Sequence, residues 1–155
     1  RMERLGMVPD VSHLGEKSFW DLLEASQGPV IASHSNCRAL CDVRRNLTDD
    51  QLRAIRDRGG VVGLNSYHGF VHADRERQTV ETLARHAARM IEVMGVEHVG
   101  CGFDFCHFMG PGNESAEGVE DAGQVRNLLD CLERMGLTAR ERTLIARENF
   151  LRLLG

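Results

Sequence analysis

His13 and His34 each close a short apolar run, Met7-Val8-Pro9-Asp10-Val11-Ser12-His13 and Pro29-Val30-Ile31-Ala32-Ser33-His34. Neutral imidazole is the commonest metal ligand among side chains, and two at equivalent strand ends point to a shared metal ion more than to core packing. Asp104 follows the run Val99-Gly100-Cys101-Gly102-Phe103. A carboxylate there serves either to carry a proton in hydrolysis or to cap the loop that follows. Arg44 and Arg45 lie in a polar stretch. A guanidinium fork suits bidentate capture of a free carboxylate, and periodicity does not choose between the two. Two histidines do not complete a metal site, which takes roughly four ligands. Their remaining ring nitrogens need acceptors of their own, and Asp10 is a candidate by proximity.

These residues need a scaffold that brings strand ends together. Apolar runs introduced by Gly or Pro read as buried strands near 7–12, 30–33, 61–65 and 99–103. Helical periodicity fills the intervals: 17–26 with Phe19, Trp20, Leu22 and Leu23, and 78–94 with Leu83, Ala87, Met90, Ile91 and Met94. Thr48-Asp49-Asp50-Gln51 is a capping box opening a helix that runs to about Arg58, and Thr138 with Glu141 forms a second. Two closing helices are expected near 123–135 and 139–154. The stretch 106–121, rich in Gly, Pro and polar residues, reads as a long loop. Alternating strands and helices predict an α/β fold with a parallel sheet and right-handed crossovers. In such folds chemistry is placed at the carboxyl ends of the strands.

Four strand–helix units are half of an eight-stranded (β/α)8 barrel, which typically needs about 250 residues. With 155 residues the chain reads as a single domain, 1–155, whose open sheet edges require a partner. Arg1 to Gly6 resembles the last turn of a helix with a Gly cap, and no initiator Met precedes it. The chain therefore reads as beginning inside a longer one.

A net charge of −4 with dispersed arginines excludes a polyanion partner, so no nucleic acid is expected. Five cysteines without a CxxC pair point to a reducing compartment and a cytoplasmic location. Cys101 and Cys131 read as buried thiols. No stretch is long enough to span a membrane.

The segments Gly6 to His13, Pro29 to Ser35 and Arg44-Arg45-Asn46 together resemble the membrane dipeptidase (renal dipeptidase) family of zinc peptidases. Gly59 to Gly63, Gly102-Phe103-Asp104-Phe105 and Glu148 to Arg152 extend the resemblance over nearly the whole chain. It matches the C-terminal half of such an enzyme. The resemblance implies a (β/α)8 TIM-type barrel that hydrolyses dipeptides with a hydroxide held between two zinc ions. His13 and His34 match the histidines of one zinc site, Arg45 the arginine that holds the substrate carboxylate, and Asp104 the acid/base residue that also contacts the substrate's amino end. The other zinc ligands belong to an N-terminal half-barrel expected upstream, so the isolated chain is expected to be inactive. Two departures stand out. Pro9 replaces an aliphatic strand residue, and Cys106 stands where a second acidic residue commonly follows.

Two other readings compete. One is another binuclear-metal barrel hydrolase, a deacetylase or lactonase; the other is a non-catalytic half-barrel closed by self-association as a homo-oligomer.

Overall fold

A computed structural model describes residues 3–154 of the chain. Three parallel strands form the sheet: β1 (Ile31–Ala32), β2 (Val61–Asn65) and β3 (Val99–Phe103), in the order β1-β2-β3. Helices α1 (Glu16–Ala25), α2 (Asp49–Asp57), the short α3 (His68–Val71), α4 (Val80–Met94) and α5 (Val125–Arg134) alternate with or follow them. The chain closes with α6 (Ala139–Thr143), a π-helical turn Leu144–Glu148 and α7 (Asn149–Leu153). All five residues of β2 are buried, as a continuous apolar run in a parallel sheet requires. Among the described residues no helix is long and apolar enough to cross a membrane.

Both capping boxes form. Thr48 Oγ1 accepts from the Gln51 amide at 3.2 Å, and the Thr48 amide donates to Gln51 Oε1 at 3.0 Å. The Thr138 and Glu141 pair repeats this at 3.2 and 2.8 Å. Each satisfies two amides that a helix start leaves without partners. Leu52 and Ile55 of α2, Leu83, Ala87 and Met90 of α4, and Leu128 and Leu132 of α5 build the core around the sheet.

The expected first strand is reduced to a single bridge between Asp10 and Ile31. The Ile31 amide donates to Pro9 O, and the Val11 amide donates to Ile31 O. The ladder stops there for a chemical reason. The Asp10 carboxylate takes the amide of Ser33, the next donor in line, together with that of Ser12, so side chain competes with strand pairing. The single helix expected over 139–154 runs unbroken through 139–153, widened in its middle by the π-helical turn. That wide turn delivers Asn149, whose Nδ2 donates to Val96 O and Val99 O at 2.7 Å each, tying α7 to the start of β3. Cys131 is buried, whereas Cys101 is half-buried. The latter lies on the sheet face opposite Gly100, which packs against Phe150.

His86 on α4 is fully buried and joins three elements. Its Nδ1 accepts from the Cys37 amide at 3.1 Å, so its Nε2 carries the proton that goes to Val71 O at 2.9 Å. Burial drives its pKa down to about 4, although the bond to Val71 favours the charged ring. The unfolded chain takes up this proton near 6.5 and the folded chain resists until about 4. Stability from His86 is therefore complete above pH 6.5 and is lost as pH falls towards 4, by about 3 kcal/mol. Urea midpoints measured between neutral pH and pH 4.5 should fall accordingly, and His86→Gln should flatten that slope.

Candidate active site

The carboxyl ends of the strands converge because glycine lets them. A Cβ on Gly63 would lie 2.1 Å from Ser33 O, and one on Gly102 would lie 1.9 Å from the same oxygen. Ser33 and His34 thus rest directly on the backbones of β2 and β3, and the Ser35 amide donates to Gly63 O at 2.7 Å. Between β2 and β3 the register shifts after Leu64, pairing Asn65 with Phe103. A shift of this kind re-aims side chains at a strand end.

Among the described residues, the non-glycine positions with left-handed backbone are His13 (φ 72°), Phe103 (φ 46°) and Asp104 (φ 61°). Each such residue costs about 1–3 kcal/mol and persists where surroundings hold it. All three border one place. His13 Nε2 lies 2.8 Å from His34 Nε2, with ring centroids 4.9 Å apart and planes at 62°. Asp104 Oδ2 lies 3.8 Å from His34 Nε2. The same oxygen accepts from Asn65 Nδ2 at 3.3 Å, while Cys106 Sγ donates to Asp104 Oδ1 at 3.4 Å. Asn65 is fully buried, its Oδ1 accepting from the Tyr67 amide and its own amide donating to Asn36 Oδ1.

Arg45 and Arg44 differ in this setting. Arg44 is exposed. Arg45 is half-buried, donates from Nη2 to His34 O at 3.3 Å, and places its guanidinium 5.3 Å from the centre of the Phe70 ring. Burial lowers the Arg45 pKa, and Asp104 and Asp10 pull it back up. Burial likewise lowers the His34 pKa, against the pull of Asp104 and with the help of Arg45 and His13. A neutral imidazole is the form that binds metal. For Asp10, burial alone would raise the carboxyl pKa, but hydrogen bonds from Ser33 and Ser12 outweigh it and hold it low.

The two imidazole nitrogens face each other at 2.8 Å, within hydrogen-bond distance, so a small shift of the rings would turn both towards one cation. Among the described residues no group of three or more His, Cys, Asp or Glu is placed to hold a metal ion. His68, His72 and His107 stand apart from the pair. His68 Nδ1 bonds Gln78 Oε1, His72 Nδ1 accepts from the Asp74 amide, and His107 is exposed. A cavity of about 690 Å³ is lined by Tyr67, His68, Gln78 and Glu114 among others but by none of His13, His34 or Asp104. The cysteines take no part in a cluster: all five are free thiols, and Cys37 and Cys41 are buried. Sequence reasoning passed over Ser33, Phe70 and Asn36. Ser33, a hydroxyl ending an apolar strand beside His34, carried a readable signal; the other two are brought in by tertiary packing alone.

Comparison with known proteins gives this geometry a context. A Klebsiella pneumoniae protein known as an uncharacterized protein in the pqqA 5' region is 48% identical over 108 residues, covering 68% of this chain and 40% of that protein. An uncharacterized dipeptidase of Schizosaccharomyces pombe is 37% identical over 140 residues, covering 88% of this chain and 32% of its own length. The crystal structure of a Rhodobacter sphaeroides metallo peptidase, liganded with a phosphinate mimic of the dipeptide L-Ala-D-Ala, superposes with a TM-score of 0.87 at 34% identity. That match covers 99% of this chain and 43% of the peptidase. The chain thus spans less than half the length of each. Residues 1–155 all fall within the family described as membrane dipeptidase, and with the strand ends and histidine pair in place the chain belongs to that family, peptidase family M19.

Proposed function

We propose that this chain is the C-terminal half of a (β/α)8 barrel that hydrolyses dipeptides with zinc. One observation carries the reading: the Nε2 atoms of His13 and His34 meet at 2.8 Å at the strand ends, with Asp104 and Arg45 both turned to His34. His13 and His34 would hold the ion. Zinc supplies a Lewis acid that activates water at neutral pH and polarises a carbonyl.

The chain's own residues divide the remaining work. Arg45, stacked on Phe70, offers its fork to the free carboxylate of a dipeptide. Asp104 Oδ2, on the side facing His34, is placed to take a proton from the attacking water and pass it to the leaving amine. Asn65 and Cys106 donate to the two Asp104 oxygens and keep that carboxylate in place. The left-handed backbone at Phe103 and Asp104 aims it. The 155-residue domain supplies two nitrogen ligands, so it should be inactive alone and gain activity when the rest of the barrel is supplied. From five cysteines without a CxxC pair we infer a reducing, cytoplasmic setting.

Arg45→Met tests the substrate class in a zinc-loaded assembly with the whole barrel present. Loss of one partner of a buried charge pair costs about 2–5 kcal/mol, so kcat/KM on a dipeptide should fall on the order of 10²-fold. Turnover of the C-terminal amide of the same dipeptide should change little. Equal turnover of the free dipeptide by both proteins would instead favour a deacetylase- or lactonase-type hydrolase.

A further inference from the structure

The hydrogen bonds between Asp10, Ser33 and His34 leave one consistent arrangement of protons. An ionised carboxylate accepts and never donates. Asp10 Oδ1 takes the Ser12 amide at 2.9 Å and the Ser33 amide at 3.0 Å, and Asp10 Oδ2 takes the Ser33 hydroxyl. The other acceptors within reach of that hydroxyl, His34 Nδ1 at 2.8 Å and Ser12 Oγ at 3.5 Å, are uncharged, so the closer carboxylate takes the proton. Having given its one proton to Asp10, Ser33 Oγ meets His34 Nδ1 at 2.8 Å as an acceptor. The ring proton of His34 therefore sits on Nδ1. Its Nε2, facing His13, carries the lone pair.

We propose that Asp10 and Ser33 are positioning residues, a two-member relay that fixes His34 in its Nδ1–H form and presents Nε2 to a divalent metal. The proposal rests on the metal reading above and deepens it. Asp10 lies three residues before His13, yet it acts on the other histidine, across the bridge to β1. Ser12 completes the arrangement by accepting the His34 amide at 3.1 Å, which fixes the backbone while the relay fixes the ring. Outer partners of this kind typically alter metal affinity by about 10–100-fold.

Asp10→Asn inverts the relay with almost no change of shape. With its oxygen kept by the two backbone amides, the new amide group donates to Ser33 Oγ, the hydroxyl turns towards His34 Nδ1, and the ring proton moves to Nε2. Nitrogen-15 NMR of the imidazoles in the metal-free chain reads this directly, and competition with a chromophoric chelator reads zinc affinity. The unmodified chain should show His34 protonated at Nδ1. Asp10→Asn should show it at Nε2 with zinc bound about 10–100-fold more weakly. Ser33→Ala should weaken zinc similarly, and Ser33→Thr should restore it. An Nε2–H ring in the unmodified chain, which needs no variant to fold, overturns the proposal. So does unchanged zinc affinity in Asp10→Asn. If His34→Ala binds zinc as well as the unmodified chain, the metal reading itself fails, while the NMR result still judges the relay.

Discussion

Replacing His34 with alanine should abolish zinc binding by the chain and dipeptide turnover by the completed barrel. His34 is the hub of the site: its Nε2 faces both His13 and Asp104, and its carbonyl receives Arg45. The loss should exceed the roughly 10–100-fold that removal of an outer partner causes, because a ligand itself is gone. Zinc stoichiometry by elemental analysis and initial rates on a dipeptide measure the two effects separately. His34 is half-buried and lies outside the hydrophobic core, so the far-ultraviolet spectrum should be retained. A variant that keeps both zinc and turnover would show that the pair is a structural contact between strand ends.

Gly102→Ala should be as damaging by another route. Its Cβ would lie 1.9 Å from Ser33 O and 3.1 Å from His34 Cα, and both obstacles are backbone that no rotamer change can clear. Ordinary overpacking costs about 1–3 kcal/mol. Forcing two strand ends apart belongs with the rarer changes of about 4–5 kcal/mol or more. A thermal melt should show a large drop in midpoint, and any folded remainder should bind zinc poorly because Ser33 and His34 have moved together. By contrast, Gly110→Ala, where a Cβ meets nothing within 4 Å but φ is 96°, should cost only the local backbone strain.

Sequence patterns located β2 and β3 at their observed bounds, because a buried parallel strand leaves a continuous apolar run between glycines. Both capping boxes were equally readable, since a cap is a contact between residues three apart. What escaped depends on partners far along the chain. The run 7–12 has the composition of a strand, but the Asp10 carboxylate removes the Ser33 amide that would extend its ladder. Periodicity over 139–154 is continuous, and the π-helical turn arises where Asn149 must reach the carbonyls of Val96 and Val99.

The site divides the same way. His34 and Asp104 fall just past β1 and β3, as the runs that precede them indicated, whereas the run before His13 forms only the Asp10–Ile31 bridge. The difference between Arg44 and Arg45 did not, because Phe70 and the His34 carbonyl single out the second through folding. Asp10 was visible only as a neighbour of His13. Its connection to His34 passes through Ser33, a link that exists once the two segments pair.

X-ray absorption at the zinc edge of the loaded protein tests the central claim most directly. The account requires imidazole nitrogen in the first shell at about 2.0–2.1 Å, with the imidazole signal lost in a His13→Ala, His34→Ala double variant. A shell of sulfur at about 2.3 Å, or an unchanged spectrum in the double variant, would contradict it.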